Sequence, residues 1–217
     1  MSVLALTAVL SSVPLSCGPA APETVVLERS VVRADSLERL YQQGRTFAEF
    51  LAATRARRET WLDNYAGAVI PEPLLERARA VPGRWRLLVV AEDWCGDSAN
   101  TIPYLARLAD SVATLALRIV NAREGRWVME GHRTPDGRAA TPTVVLLDST
   151  GTDVGCFVER PAALREWLAG NRPRLSERGV QQGREAWRRE DAGRSTVREI
   201  VELLEAARQG KPLCGPT

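Results

Sequence analysis

The sequence predicts an α/β protein: a mixed four-stranded sheet with helices on both faces and extra helices before and after it. Three observations carry this. Short apolar runs of strand length recur at 86–92 "RLLVVAE", 115–121 "LALRIVN", 142–148 "PTVVLLD" and 153–160 "DVGCFVER". The first two flank a segment long enough for a helix, so they read as parallel strands joined by a right-handed crossover. The last two are separated only by the turn residues Ser149-Thr150-Gly151, so they read as an antiparallel hairpin.

Each element has its own local reason. Residues 18–34, rich in Pro and Ala at their start, read as a linker. Thr46-Phe-Ala-Glu49 is a capping box, in which a hydroxyl and a carboxylate three residues apart satisfy orphan helix amides. Behind it Phe47, Phe50, Leu51, Thr54, Trp61, Leu62 and Tyr65 share one helical face, and Gly67 with Pro71 and Pro73 ends that helix. A short helix is expected over 73–80, opened by its proline. The first strand follows Pro82-Gly83. A single helix is expected from about Gly96 to Asp110, and a short one at "GRWVMEGHR". Pro161 opens another helix whose Leu164, Trp167 and Leu168 face inward, and Gly170 stops it. From there to Gly193 the chain is polar and arginine-rich. A last helix is expected to start at a second capping box, Thr196-Val-Arg-Glu199, with Val197, Ile200, Val201 and Leu204 as its apolar stripe. The order over 86–170 is β-α-β-α-β-β-α. Residues 35–170 read as one domain with an N-terminal helical extension, and 171–217 as a C-terminal helical extension and tail.

Bulk properties bound the function. The 217 residues are 45% apolar and 26% charged with net charge +2, so no broad field argues for nucleic acid or a lipid surface. Basic charge is almost all arginine, with Lys211 the one lysine. Cys17, Cys95, Cys156 and Cys214 are far apart, and the single histidine, His132, adds no zinc-type spacing, so no metal is expected. No cofactor is implied. Residues 1–17 are apolar and uncharged, too short to span a membrane but of signal-peptide length. Small Ser16 before Cys17 resembles a bacterial lipoprotein signal, which implies export, lipidation of Cys17 and a membrane anchor on the periplasmic side. No Lys or Arg precedes the run, and Pro14 stands where leucine is usual. Without such a signal the chain stays in the cytoplasm.

The chemistry concentrates in "AEDWCGDSANTIP", residues 91–103, between a strand and a helix. Trp94-Cys95-Gly96 resembles the active-site turn of thioredoxins, whose motif is W-C-G-P-C. Pro103 matches the proline that kinks their active-site helix, and "ATPT" at 140–143 matches their cis-proline loop. A closer likeness is to bacterial thioredoxin-like proteins that carry "EDWCGD" and a strand ending "ERP", here Glu159–Pro161. The resemblance implies a thioredoxin-like fold. It also implies thiol–disulfide chemistry with Cys95 as nucleophile, and a substrate held by Trp94, Gly96, Asp97 and the backbone of Thr141-Pro142. Partners would be protein or small-molecule thiols and disulfides.

Two departures bear on mechanism. Ser98 stands where the second motif cysteine would be, and Val89 where thioredoxins place a buried aspartate. A mixed disulfide at Cys95 therefore has no resolving thiol in the motif. Ser98 is expected to donate a hydrogen bond instead of a sulfur. A helix N-terminus favours the thiolate at Cys95, whereas Glu92, Asp93 and Asp97 are expected to oppose it. Resolution would come from an external small thiol, as in monothiol glutaredoxins, or from the tail cysteine Cys214. Cys156 is expected in the core, and His132 in a solvated loop. The alternative is a non-catalytic binding scaffold that uses the cis-proline groove.

Overall fold

The structure, a computed structural model, describes residues 23–211. The 1–17 segment with Cys17, and Cys214, lie outside the described residues. Four strands, β1 (Trp85–Val90), β2 (Leu115–Val120), β3 (Thr143–Leu147) and β4 (Asp153–Val158), form one sheet in the order β2-β1-β3-β4. β1 and β2 are parallel, and β1–β3 and β3–β4 are antiparallel. This is the mixed sheet read from the sequence. The apolar runs are buried on both faces, which is why they lack alternation.

The two faces are covered differently. Helix α1 (Glu23–Gln43) lies on one, beside the short α7 (Arg126–Gly131), and there Leu37, Leu40, Tyr41 and Val128 pack with Leu88, Val90, Val145 and Leu147. It starts inside the stretch expected to be a linker. The opposite face takes Leu87, Val89, Val144 and Leu146. It is covered by α2 (Phe47–Ala53), α3 (Arg58–Gly67), α4 (Glu72–Ala80), α6 (Ile102–Ser111) and α10 (Arg194–Arg208). Among the described residues no helix is long and apolar enough to cross a membrane.

Several helix boundaries differ from the expectation, each for a local reason. The capping box at Thr46 forms, with Thr46 N donating to Glu49 at 2.7 Å and Glu49 N to Thr46 Oγ1 at 3.2 Å. The helix behind it stops at Ala53, and α3 begins after Arg57, which sits in the left-handed region at φ 52°. The helix after Cys95 is also two pieces, α5 (Gly96–Ala99) and α6. Pro103 has no N–H to give the carbonyl of Ala99, and Asn64 Nδ2 donates to that carbonyl at 2.8 Å in its place. The expected second capping box is absent. α10 starts at Arg194, so Thr196 is buried within the helix, and Glu199 instead accepts from Ala162 N at 2.6 Å. It thereby caps α8 (Ala162–Asn171), the helix opened by Pro161.

The polar stretch after Gly170 contains an unforeseen helix, α9 (Glu177–Asp191), capped by Ser176. Gly183 lets it approach α8 closely, because a Cβ there would lie 2.5 Å from the Trp167 ring. Ala192 and Gly193, both left-handed, turn the chain from α9 into α10.

Candidate functional site

β1 ends at Val90, and the chain turns through Glu92–Trp94 into α5. Cys95 is the N-cap of that helical turn, and Ser98 N donates to its Sγ at 3.4 Å. The thiol donates to Thr141 O at 3.3 Å, across from the cis Thr141–Pro142 bond. Cys95 is half-buried, and it is the free cysteine among the described residues. Trp94, beside it, is 62% exposed and offers its indole to solvent rather than to the core. Trp94, Cys95, Gly96, Asp97, Ser98, Thr141 and Pro142 are thus brought together at one end of the sheet.

Ser98 behaves differently from the expectation. Its Oγ is buried and has no hydrogen-bond partner, and it is the Ser98 backbone amide that reaches Cys95. Val89 is fully buried between Ile119 and Val144, an apolar place with no proton carrier.

The three motif acids do not simply crowd the thiol with negative charge; each is engaged. Glu92 Oε1 accepts from Ala122 N at 2.8 Å. Asp93 Oδ2 accepts from Arg55 N at 2.8 Å and Ala56 N at 3.1 Å. The Arg55 amide, with the Ala56 and Trp94 amides behind it, holds the Asp93 carboxyl below its usual range against the opposing effect of burial. Asp97 is gripped from two sides. Arg160 donates Nε and Nη2 to it at 3.1 and 2.8 Å, and Arg188 Nη2 donates to its Oδ1.

That grip extends into a network. Arg160 also meets Glu159 at 3.1 Å, and Arg138 pairs with Glu159 through two hydrogen bonds at 3.3 and 2.9 Å. Glu159, left-handed at φ 63°, donates its backbone N–H to Pro142 O at 2.7 Å, so the network also fixes the cis-proline loop. Burial lowers the pKa of the Arg188 guanidinium, with Arg184 and Arg160 adding to the effect, while Asp97 and Cys95 act to raise it. Arg160 is buried as well, yet its two carboxylate neighbours leave its pKa raised.

The N-terminal helices brace the same turn. Trp61 Nε1 donates to Asp93 O at 3.0 Å, and Arg57 Nε to Trp94 O at 2.8 Å. Sequence reasoning did not single out Arg57, Asn64, Arg138 or Arg188. Glu159 and Arg160 were visible only inside the "ERP" likeness. His132 is not solvated but buried, with Nδ1 on Val128 O and Nε2 on Asp153 Oδ2, both at 2.7 Å. Cys156 is half-buried and disulfide-bonded rather than a core thiol. Among the described residues no cluster of three or more His, Cys, Asp or Glu groups is arranged to hold a metal ion.

A cysteine N-cap, a facing cis-proline and a β2-β1-β3-β4 mixed sheet define a thioredoxin-type fold and site. The family model described as Thioredoxin matches residues 44–177, more than half of the chain. This chain belongs to the thioredoxin family. Two solved structures are similar. One is a protein of unknown function from Pseudomonas aeruginosa, 24% identical, with a TM-score of 0.62 over 77% of this chain and 96% of that one. The other is an HIV epitope-scaffold, 21% identical, with a TM-score of 0.62 over 78% and 97%. Both share the fold. No curated protein matches the chain.

Proposed function

We propose that this protein is a thiol–disulfide oxidoreductase of monothiol type, with Cys95 as its nucleophile. One observation carries the reading: a free thiol sits at a helix N-cap, within hydrogen-bonding reach of the cis-proline loop's backbone. The Cys95 thiolate attacks one sulfur of a disulfide R–S–S–R′. The S–S bond breaks, R′S⁻ leaves with the electron pair and is protonated by solvent, and Cys95 is left in a mixed disulfide with R. A second, external thiolate then attacks that bond and releases the Cys95 thiolate. The Thr141-Pro142 backbone, where Thr141 O exchanges the Cys95 thiol for substrate once the thiolate forms, and the exposed Trp94 face are where the substrate backbone and side chains would lie.

Ser98 cannot perform the second step, and Cys156 is held in its own disulfide. That disulfide also fits the oxidising compartment that an exported chain would occupy. The exposed Trp94 favours one second reading, a scaffold that holds a protein partner without turnover. Exchange with a small disulfide separates the two. Cys95→Ala should abolish it, whereas Glu205→Gln, remote from the site, should not. Absence of exchange in the unmodified protein would leave the scaffold reading.

A further inference from the structure

Between α3 and α9 a groove runs up to Gly96, the residue that follows Cys95. Arg57, Arg184, Arg188 and Arg189 line it, opposed by Asp63 and Glu185. With Arg188 paired to Asp97, three cations face two carboxylates, an excess of one positive charge. Two of the four are committed, Arg188 to Asp97 and Arg57 Nε to Trp94 O. The other two are not. Arg189 is exposed, and the Nε of half-buried Arg184 is shielded from solvent without a partner. Neither side chain is in an ion pair among the described residues, so an anion in the groove would meet their charge without displacing an existing partner. Guanidinium groups also present the fork geometry that carboxylates match.

The groove reaches Gly96, one residue from a thiol that needs an external partner to complete its cycle. We propose that this groove receives the carboxylates of a low-molecular-weight thiol, and that this anionic thiol is what resolves the Cys95 mixed disulfide. The inference rests on the exchange reading above. In the step concerned, the bound thiol's sulfur attacks the substrate sulfur of the Cys95 adduct. The bond to Cys95 breaks, the Cys95 thiolate leaves with the electron pair, and the product is a disulfide between substrate and small thiol.

The test starts from the full chain carrying 2-mercaptoethanol in mixed disulfide at Cys95. Its resolution rate is measured at low ionic strength with mercaptosuccinate, 2-mercaptoethanol and cysteamine. Each rate is divided by that thiol's rate with 2-hydroxyethyl disulfide in solution. Mercaptosuccinate should be preferred over 2-mercaptoethanol, and cysteamine disfavoured. Each arginine contributes a factor of roughly two to three for a charge met at about 8 Å through water. The double variant Arg184→Gln/Arg189→Gln should therefore lose about four- to ninefold of the preference, and Glu185→Gln should increase it. A preference unchanged in both variants, or cysteamine equal to mercaptosuccinate in the unmodified protein, overturns the proposal while exchange itself stands. Failure to form any Cys95 adduct overturns the exchange reading, and this proposal with it.

Discussion

Asp97→Ala is the substitution with the largest consequence that the site geometry predicts. Asp97, Arg160 and Arg188 have side chains only 13%, 13% and 14% exposed, so their charges are screened little by solvent. Arg160 retains Glu159 when Asp97 is removed. Arg188 has no second carboxylate partner among the described residues, and it would be left as a largely buried cation. Breaking a buried pair from one side costs about 3–5 kcal/mol, and the residual exposure here argues for the lower end, about 3 kcal/mol. For a chain of this length each kcal/mol moves the melting temperature by about 2–4 °C, so the expected drop is about 6–12 °C. The comparison is Arg77–Glu205, whose side chains are 41% and 34% exposed. An exposed pair of that kind contributes about 0–1 kcal/mol, so Glu205→Ala should lower the melting temperature by about 4 °C at most. Thermal melts of both variants by circular dichroism decide the matter. Hydrogen exchange should also show 177–191 losing protection in the Asp97 variant, since Arg188 ties α9 to the turn. Equal melting temperatures for the two variants, with α9 still protected, would refute the reasoning.

Three other outcomes follow from named contacts. Asp93 has a folded-state pKa below its unfolded value, so its stabilising contribution is present above the ordinary carboxylate range near pH 4 and is lost as pH falls through the folded pKa. Urea unfolding should show Asp93→Asn less stable than the unmodified chain at pH 7, with the gap narrowing by pH 3; a gap that widens in acid contradicts the sign. Gly193→Ala places a methyl group 2.2 Å from the ring of buried Tyr104 at φ 76°, which should cost about 3 kcal/mol. Gly170→Ala meets nothing within 4 Å and should be neutral or slightly stabilising by the same denaturation assay. Ser98→Cys puts a thiol one helical turn from Cys95, where the Ser98 amide already lies 3.4 Å from Sγ. Mass spectrometry after mild oxidation should find the two linked, and in a single turnover the substrate should leave the Cys95 adduct without an added small thiol, the variant ending as the internal disulfide.

The parts of this protein visible in its sequence are those whose signal is apolar. Each strand is a run of buried residues of the right length, and the turn at Ser149–Gly151 forces the hairpin. The cysteine, the cis-proline loop and Pro103 are local motifs that keep their meaning in isolation. What was not legible is whatever long-range partners decide. Nothing near Ala99 announces that Asn64 supplies the donor that Pro103 lacks. Thr196 and Glu199 have the spacing of a capping box, but Glu199 finds an amide on another helix. α9 was hidden for a different reason. It has no fully buried residue, and its inward side carries Arg184 and Arg188, so a search for apolar periodicity passes over it.

The acids of "EDWCGD" change meaning when their partners are known. Read alone, three carboxylates around a thiol are a penalty on its reactive form. In the fold each fastens the Cys95 turn to a different part of the molecule. Glu92 reaches the segment after β2, Asp93 the α2–α3 connection, and Asp97 the end of β4 together with α9. Two of these three anchors lie in the helical additions, not in the four-stranded core. A thioredoxin core without the α2–α3 connection and α9 would offer Asp93 neither of its Arg55 and Ala56 amides and would leave Asp97 to Arg160 alone. The acidic motif and the helical extensions are therefore one device. The extensions give Asp93 its amides and Asp97 a guanidinium, those two acids hold the extensions, and Arg184 and Arg189, outside that exchange, face the groove that reaches Gly96.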